Sequence, residues 1–195
     1  MGDDMHRIRV AANPRRHCPA LFLDRDGTIL DDPGYLSDPD KVRLFPGAAE
    51  ALRRFADAGH AIVVVTNQSG VGRGLFGWKD YEQVAARVRQ ELGKHGVTID
   101  VECACGHAPE EGASCGWRKP APGMIDAAAR RLDLNLGASL MVGDMPSDLQ
   151  AAEAAGVGRA VHVLTGHGAR QREHLRDWCL SIPLDLVDDL SALQP

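Results

Sequence analysis

Aromatic side chains are scarce in this 195-residue chain, with four Phe, three Trp and two Tyr, 5% of the residues. Platforms that stack nucleic-acid bases depend on such rings, so a single-strand binder is disfavoured. Surplus positive charge is missing too. Twenty-two Lys and Arg stand against 27 Asp and Glu, a formal net charge of -5, whereas affinity for a phosphate backbone needs basic residues in excess on one face. No apolar run approaches the length of a membrane span. The first twenty residues, MGDDMHRIRVAANPRRHCPA, carry charges, Asn and Pro where a secretory leader needs an unbroken apolar core, so the expected location is the cytoplasm. Five cysteines, an odd number with three between Val101 and Pro120, favour a metal or free thiols in a reducing compartment over a disulfide framework. Repeats, low-complexity tracts and interdomain linkers are also missing, and 44% hydrophobic with 25% charged residues is ordinary for a globular protein. The expectation is a lead-in over residues 1–19 and one domain over residues 20–195.

What the chain does contain is an alternation of short apolar runs with longer segments of helical period. ALFLD (20–24), AIVVVTN (61–67), TIDVECA (98–104), SLMVGD (139–144) and RAVHVL (159–164) read as strands, most of them buried. Between them, PGAAEALRRFADAG opens on a proline and closes on a glycine, the punctuation of a helix of about three turns. WKDYEQVAARVRQELGKHG places Val84, Val88 and Leu92 on one helical face. APGMIDAAARRLDL and SDLQAAEAAG supply two further helices, and the tail SIPLDLVDDLSALQP a last short strand and helical turn. This rhythm predicts an α/β protein, a Rossmann-like three-layer α/β/α sandwich with a central parallel sheet. Right-handed crossovers then bring the C-terminal strand ends to one edge, where such folds bind ligands.

Chemistry-bearing residues gather at those strand ends. In LFLDRDGTIL the first strand ends in Asp24, and Asp26 two residues later projects to the same side of an extended chain. Two carboxylates so placed repel unless a cation joins them, and a hard divalent ion such as Mg2+ suits one carboxylate, a nearby carbonyl and a substrate phosphate. VVVTNQSG delivers Thr66 at a second strand end, followed by the donor-rich Asn67, Gln68 and Ser69. SLMVGDMPSD delivers Asp144, with Asp148 over the first turn of the next helix. WRKP delivers Lys119, an ammonium of use at an acid-rich edge once an anion arrives. Taken singly each piece has a plain structural explanation; in this order all four land on the same sheet edge.

The ordered set resembles the haloacid dehalogenase-like phosphohydrolases, over about Ala20 to Thr165. That resemblance implies the corresponding fold with a small or absent cap. It implies that Asp24 is the nucleophile, forming an aspartyl phosphate, and that Asp26 protonates the leaving alkoxide and then activates water. Thr66 and Lys119 are implied to neutralise charge on the transferring phosphoryl group. Mg2+ is implied to be held by Asp24, the main-chain carbonyl of Asp26 and Asp144, with Asp148 orienting the metal shell or Lys119. DRDGTI, TNQSGVGRGLF, RKPAPGM and VGD narrow the resemblance to the heptose-bisphosphate phosphatases, and to the related histidinol-phosphate phosphatases. The implied reaction is removal of the 7-phosphate of D-glycero-D-manno-heptose 1,7-bisphosphate by a monomer.

Those groups carry a zinc loop patterned Cys-x-His, a spacer, then Cys-x-Cys-Arg-Lys-Pro. Here Cys105, His107 and Cys115 match, but Trp117 occupies the fourth position and cannot bind zinc. Structural zinc wants four N or S ligands. Cys103, which faces the same way as Cys105 and His107 on an extended segment, is the expected substitute, giving a Cys103/Cys105/His107/Cys115 site within about residues 103–117. The competing expectation is a decayed loop plugged by Trp117. The resemblance also nominates Asp32, Pro33, Gly34 and Tyr35, Thr66 to Ser69, and Arg118 with Lys119 as substrate contacts, and Arg73 is added for a distal phosphate or sugar edge. Where relatives place a cation after the late metal-binding aspartate, this chain has Met145. Cys18 and Cys179 read as packing or surface thiols, and His162 and His167 as structural.

Three alternatives remain. Histidinol phosphate or another small sugar phosphate could be the substrate. A polynucleotide 3'-phosphatase shares TNQ, GRG and RKP but sits poorly with the acidic balance. A non-catalytic zinc-binding module would have no use for the acids, Thr66 and Lys119 together.

Overall fold

A computed structural model describes residues 5–31, 34–112, 115–175 and 180–195, which leaves Asp32, Pro33 and Cys179 outside the described residues. Seven strands form one sheet: β1 (His6–Val10), β2 (Ala20–Leu23), β3 (Ala61–Asn67), β4 (Val101–Cys105), β5 (Leu140–Gly143), β6 (Arg159–Val163) and β7 (Leu184–Val187), in the order β1-β4-β3-β2-β5-β6-β7. All neighbouring pairs are parallel except β1 with β4. The helices are α1 (Ala48–Asp57), α2 (Ser69–Gly72), α3 (Trp78–Gly93), α4 (Pro109–Gly112), α5 (Gly123–Leu132), α6 (Pro146–Ala155) and α7 (Gly168–Leu175).

Strand alternation explains the three layers. Leu21 and Leu23, Ile62 and Val64, Val142, and Val161 with Val163 turn to one face, where they meet Leu52 and Phe55 of α1 and Val84, Val88 and Leu92 of α3. Their neighbours Ala20, Phe22, Val63, Val65, Val101 and Met141 turn to the other face, against Met124, Ile125 and Leu132 of α5 and Leu149 of α6. Each fully buried Leu, Ile, Val or Phe contributes ~1.5–3 kcal/mol from lost apolar hydration, so residues in strands only four to seven long can hold a central sheet buried on both faces.

The order of strand addition reverses beside β2: β3 and β4 lie to one side of it, β5 and β6 to the other. A crevice therefore opens beyond the C-terminal end of β2, the switch point at which open α/β sheets bind ligands. The expected lead-in is corrected in one respect. His6–Val10 is not loosely attached but forms the antiparallel edge strand, pairing His6 with Cys105 and Val10 with Val101. A strand added at a sheet edge needs only partial apolar character, and its pattern of half-buried residues carried no strong signal.

Candidate active site

β2 ends at Leu23, and the next residue, Asp24, donates its backbone N–H to Val142 of β5, which holds the acid at the switch point. Gly27 adopts φ +83, and a Cβ there would lie 2.4 Å from Asp144 Oδ2. The turn therefore needs glycine both for its backbone conformation and to let Asp144 approach. Asp144 follows β5 directly, and Asp148 sits in the first turn of α6, its carboxylate accepting a hydrogen bond from Met145 N at 3.0 Å. Pro146 starts that helix and Gly156, φ +77, ends it.

Lys119 joins these acids. Its Nζ lies 2.6 Å from Asp24 Oδ1, 2.6 Å from Asp148 Oδ1 and 2.7 Å from the Val65 carbonyl, which satisfies all three protons of the ammonium. Its main chain is clasped as well: Lys119 N donates to Asn67 Oδ1, and Asn67 Nδ2 donates to Lys119 O, both at 3.1 Å. The end of β3 thus positions the lysine delivered from the segment after β4.

Asp26 turns to a different set of partners. Both its carboxylate oxygens receive the Arg25 guanidinium at 2.8 Å, and Gln68 Nε2 donates to Oδ2 at 2.7 Å while also donating to Thr66 Oγ1 at 2.8 Å. Arg25 is itself buried, with its guanidinium over the Tyr81 ring. Burial alone would lower that guanidinium's proton affinity, and the Asp26 charge overturns this and leaves it raised. Arg25 was not singled out by sequence. A charged residue between two motif acids reads as exposed, and only its inward turn reveals its role.

The electrostatics are those of an acid nest short of cations. Burial pushes the Asp24 carboxyl well above the ordinary range, Lys119 pulls it down, and Asp148, Asp144 and Asp26 push it up again. Burial, then Asp148, pushes Asp144 up to about 6, against a hydrogen bond from His167 N at 2.7 Å. Burial acts to lower Lys119, but Asp148 and Asp24 leave it raised. Ligand atoms of Asp24, Asp144 and Asp148 lie within 4.8 Å of one another, and Asp144 Oδ1 is buried without a hydrogen-bond partner. An orphaned carboxylate oxygen inside a group of raised carboxyls fits a divalent cation, which would satisfy the oxygen and relieve the repulsion.

A cavity of about 460 Å3 lies over this nest. Of the expected substrate contacts it is lined by Gly34, Tyr35, Thr66, Asn67, Gln68, Ser69, Arg118 and Lys119. Phe76, Met145, Ser147 and His167 also line it without having been expected there. Their signal was available in part, since Met145, Ser147 and His167 follow strands β5 and β6 at the ligand edge. Arg73 is not in the lining; its guanidinium donates to the hydroxyl of the lining residue Tyr35 at 2.6 Å and pairs with Glu110 at 3.5 Å. The Asp26 carboxylate faces Arg25 and Gln68, which leaves its main-chain carbonyl as the expected metal contact, and Asp148 lies beside Asp24 and Asp144.

Cys103 is a correction to the expected cluster. It is fully buried in the apolar layer beneath α5, one pleat repeat down β4 from Cys105, and does not belong to the cysteine–histidine cluster. Facing the same way along a strand does not suffice: the regular pleat holds Cys103 in the apolar layer, whereas His107, also two residues from Cys105, lies past the end of β4 and brings its Nδ1 within 3.4 Å of Cys105 Sγ. The residues that do converge are His6, Cys105, His107 and Cys115.

A mostly parallel sheet with an aspartate at its switch point, a clamped lysine and a cation-ready acid cluster is the arrangement of a phosphohydrolase of the haloacid dehalogenase type. A HAD-hydrolase-like family model matches residues 116–193. The chain is 40% identical over 182 residues to D-glycero-beta-D-manno-heptose-1,7-bisphosphate 7-phosphatase of Escherichia coli K12, covering 90% of this chain and 95% of that one. It is 38% identical over 180 residues to the Yersinia pestis protein of the same name, covering 89% and 96%. The crystal structure of D,D-heptose 1,7-bisphosphate phosphatase from B. bronchiseptica, complexed with magnesium and phosphate, superimposes with a TM-score of 0.79 at 35% identity, covering 89% of this chain and 94% of that one. The chain belongs to the haloacid dehalogenase-like phosphatases, in the family of these heptose-bisphosphate enzymes. Phosphatases of this class use Mg2+.

Proposed function

We propose that this protein removes the 7-phosphate of D-glycero-D-manno-heptose 1,7-bisphosphate through an aspartyl phosphate on Asp24. The observation that carries the reading is the placement of Asp24 at the switch point, its carboxylate 2.6 Å from a lysine that Asp148, Val65 and Asn67 all hold in position. A carboxylate oxygen of Asp24 attacks phosphorus, the phosphorus–oxygen bond to the sugar breaks, and Asp26 gives its proton to the departing alkoxide. Asp26 then takes a proton from water, whose oxygen attacks the same phosphorus; inorganic phosphate leaves and Asp24 is restored. Splitting one displacement into two lowers each barrier.

Lys119 and Thr66 meet the charge that spreads over the transferring oxygens, with no reorganisation needed because both are already hydrogen-bonded in place. Arg25 and Gln68 aim Asp26. Mg2+, held by Asp24, Asp144 and the Asp26 main-chain carbonyl with Asp148 beside them, supplies positive charge to the phosphoryl group when bound. Tyr35, Ser69 and Arg118 face the same cavity and suit the hydroxyls and distal phosphate of a sugar bisphosphate, with Gly34 beside them; Asp32 and Pro33 are assigned to the same substrate-binding role. Cys105, His107 and Cys115 hold a structural zinc ion in this reading, which fixes the loop leading to Arg118 and Lys119. The enzyme acts as a cytoplasmic monomer, in keeping with its clustered, unpaired cysteines.

Phosphate release from both anomers of the heptose bisphosphate, compared with histidinol phosphate, tests the substrate. Preferred turnover of one heptose anomer is expected; equal, poor turnover of all three removes the substrate assignment. Asp24→Asn is expected to lower phosphate release by several orders of magnitude while the protein stays folded, and retained turnover would falsify the assigned nucleophile.

A further inference from the structure

We propose that His6, on the edge strand, is the fourth zinc ligand of this protein, taking over from the position that Trp117 occupies, so that the ion staples β1 to the loop that delivers Arg118 and Lys119. The inference rests on the zinc reading above.

Four observations carry it. Ligand atoms of His6, Cys105, His107 and Cys115 all lie within 4.8 Å of one another. Two separations among the cysteine and histidine ligands other than His6 match the edges of a tetrahedron. Cys105 Sγ to Cys115 Sγ is 3.7 Å and Cys105 Sγ to His107 Nδ1 is 3.4 Å, where zinc–sulfur and zinc–nitrogen bonds of ordinary length require about 3.8 Å and about 3.6 Å. Register then explains why His6 is the residue that arrives. It is paired directly with Cys105 in the antiparallel ladder, so the two side chains project from the same face as cross-strand neighbours. Gly106 N donates to Met5 O at 2.7 Å and extends the pairing past the strand end, towards His107.

Trp117 has the fourth part. It does not plug the cluster but stacks on His6, with ring centroids 4.6 Å apart and planes 16° from parallel, while His6 meets His107 edge-on at 5.3 Å. The indole therefore orients the imidazole that replaces it as a ligand. Outer-shell contacts of the expected kind are present as well: Arg118 N donates to Cys115 Sγ at 3.3 Å, and the Arg118 guanidinium donates to the His107 carbonyl at 2.9 Å. Such contacts orient ligands and moderate thiolate charge. They also connect the cluster to the residue before Lys119, so the staple acts on the active site through position alone.

The test uses the full-length protein purified without chelator, with metal content measured by mass spectrometry and Co2+ substituted for Zn2+. One zinc per chain is expected, together with the intense visible bands of tetrahedral Co2+ and a charge-transfer band from two thiolates. His6→Ala should weaken zinc binding on the order of 100-fold or more, beyond the loss typical of an outer-shell partner. Cys103→Ser should bind like the parent. His6→Cys should keep the metal and raise the thiolate charge-transfer intensity by about half, from two thiolates to three. Hydrogen exchange over residues 6–10 should quicken when the metal is stripped from the parent protein.

No zinc in the parent, before or after reconstitution with Zn2+, overturns the zinc reading and this inference together. Zinc in the parent with unchanged affinity and Co2+ spectrum in His6→Ala, and a loss of thiolate intensity in Cys103→Ser, overturns the His6 assignment alone. Should His6→Ala fail to fold, His6→Cys decides by itself: unchanged charge-transfer intensity rejects His6 as a ligand.

Discussion

At Lys119 a single side chain balances three buried carboxylates. The ammonium contacts Asp24 and Asp148 directly, and Asp144 stands in the same group. Replacing it with methionine leaves like charges packed together in low dielectric, and breaking a buried ion pair by removing one partner costs about 3–5 kcal/mol. Lys119→Met is therefore expected to lower the denaturation midpoint markedly without Mg2+ and to regain part of the loss with Mg2+, because a divalent cation can replace the missing charge. Turnover should fall by about 10²–10³-fold, as when one preorganised donor is removed from a transition state. Melting curves with and without Mg2+, beside steady-state rates, check both parts. At Asp144 the orphaned Oδ1 leads to a separate expectation. Asp144→Asn should raise the Mg2+ concentration needed for half-maximal activity by about tenfold or more, and an unchanged Mg2+ requirement would remove Asp144 from the metal set.

The elements that carry the site are short and end in residues chosen for close approach. β5 closes on Gly143, where an added Cβ would stand 2.1 Å from Asp148 Oδ2 and 2.4 Å from Asp148 Cβ. Gly143→Ala must therefore push α6 away from the strand or swing Asp148 off Lys119. A destabilisation of about 1–3 kcal/mol is expected from overpacking, with a fall in kcat that Gly93→Ala, at the end of α3 in open space, does not share. Urea unfolding and rates on the two variants test this. Most elements of this kind were legible in advance. The strands over 61–67 and 159–163 and the helices from Ala48, Trp78 and Pro146 announce themselves by apolar period, a leading proline or a closing glycine. The short helices α2 and α4 did not, since four residues are too few to show a period, and α7 was hidden by a polar sequence, GARQREHL.

For the whole molecule, acid sensitivity follows from a buried imidazole on β6, next to the end of β5. His162 is fully buried on β6, and its Nε2 is 3.1 Å from the Gly168 carbonyl. Burial lowers its proton affinity and Arg172 adds to this, while the Gly168 carbonyl, Asp148 and Gly143 oppose without prevailing. As pH falls through the unfolded-chain value, about 6.5, the unfolded state takes up a proton that the folded state refuses. Stability then declines until the lower folded value is reached. Raised carboxyls such as Glu102 act in the opposite sense, so the comparison is made against His162→Asn, which shares them. Between about pH 7.5 and about pH 5.5 the parent should lose more stability than the variant; equal losses would show that His162 is not the group responsible. Among the described residues no helix is long and apolar enough to cross a membrane.

By itself the sequence determined the α/β/α architecture and the identities of Asp24, Asp26, Thr66, Lys119 and Asp144. Asp24, Thr66 and Asp144 follow from local information, a buried strand read by its apolar run and the polar residue at its end, whereas Asp26 and Lys119 came from the order of the motifs and the resemblance it carries. Tertiary structure alone decided that Arg25 turns inward to hold Asp26, that Arg73 is taken by Tyr35, and that His6 rather than Cys103 stands beside Cys105. Those outcomes depend on which strand pairs with which and in what register, and pairing between distant segments is settled by the packing of the whole sheet rather than by any stretch of residues read alone.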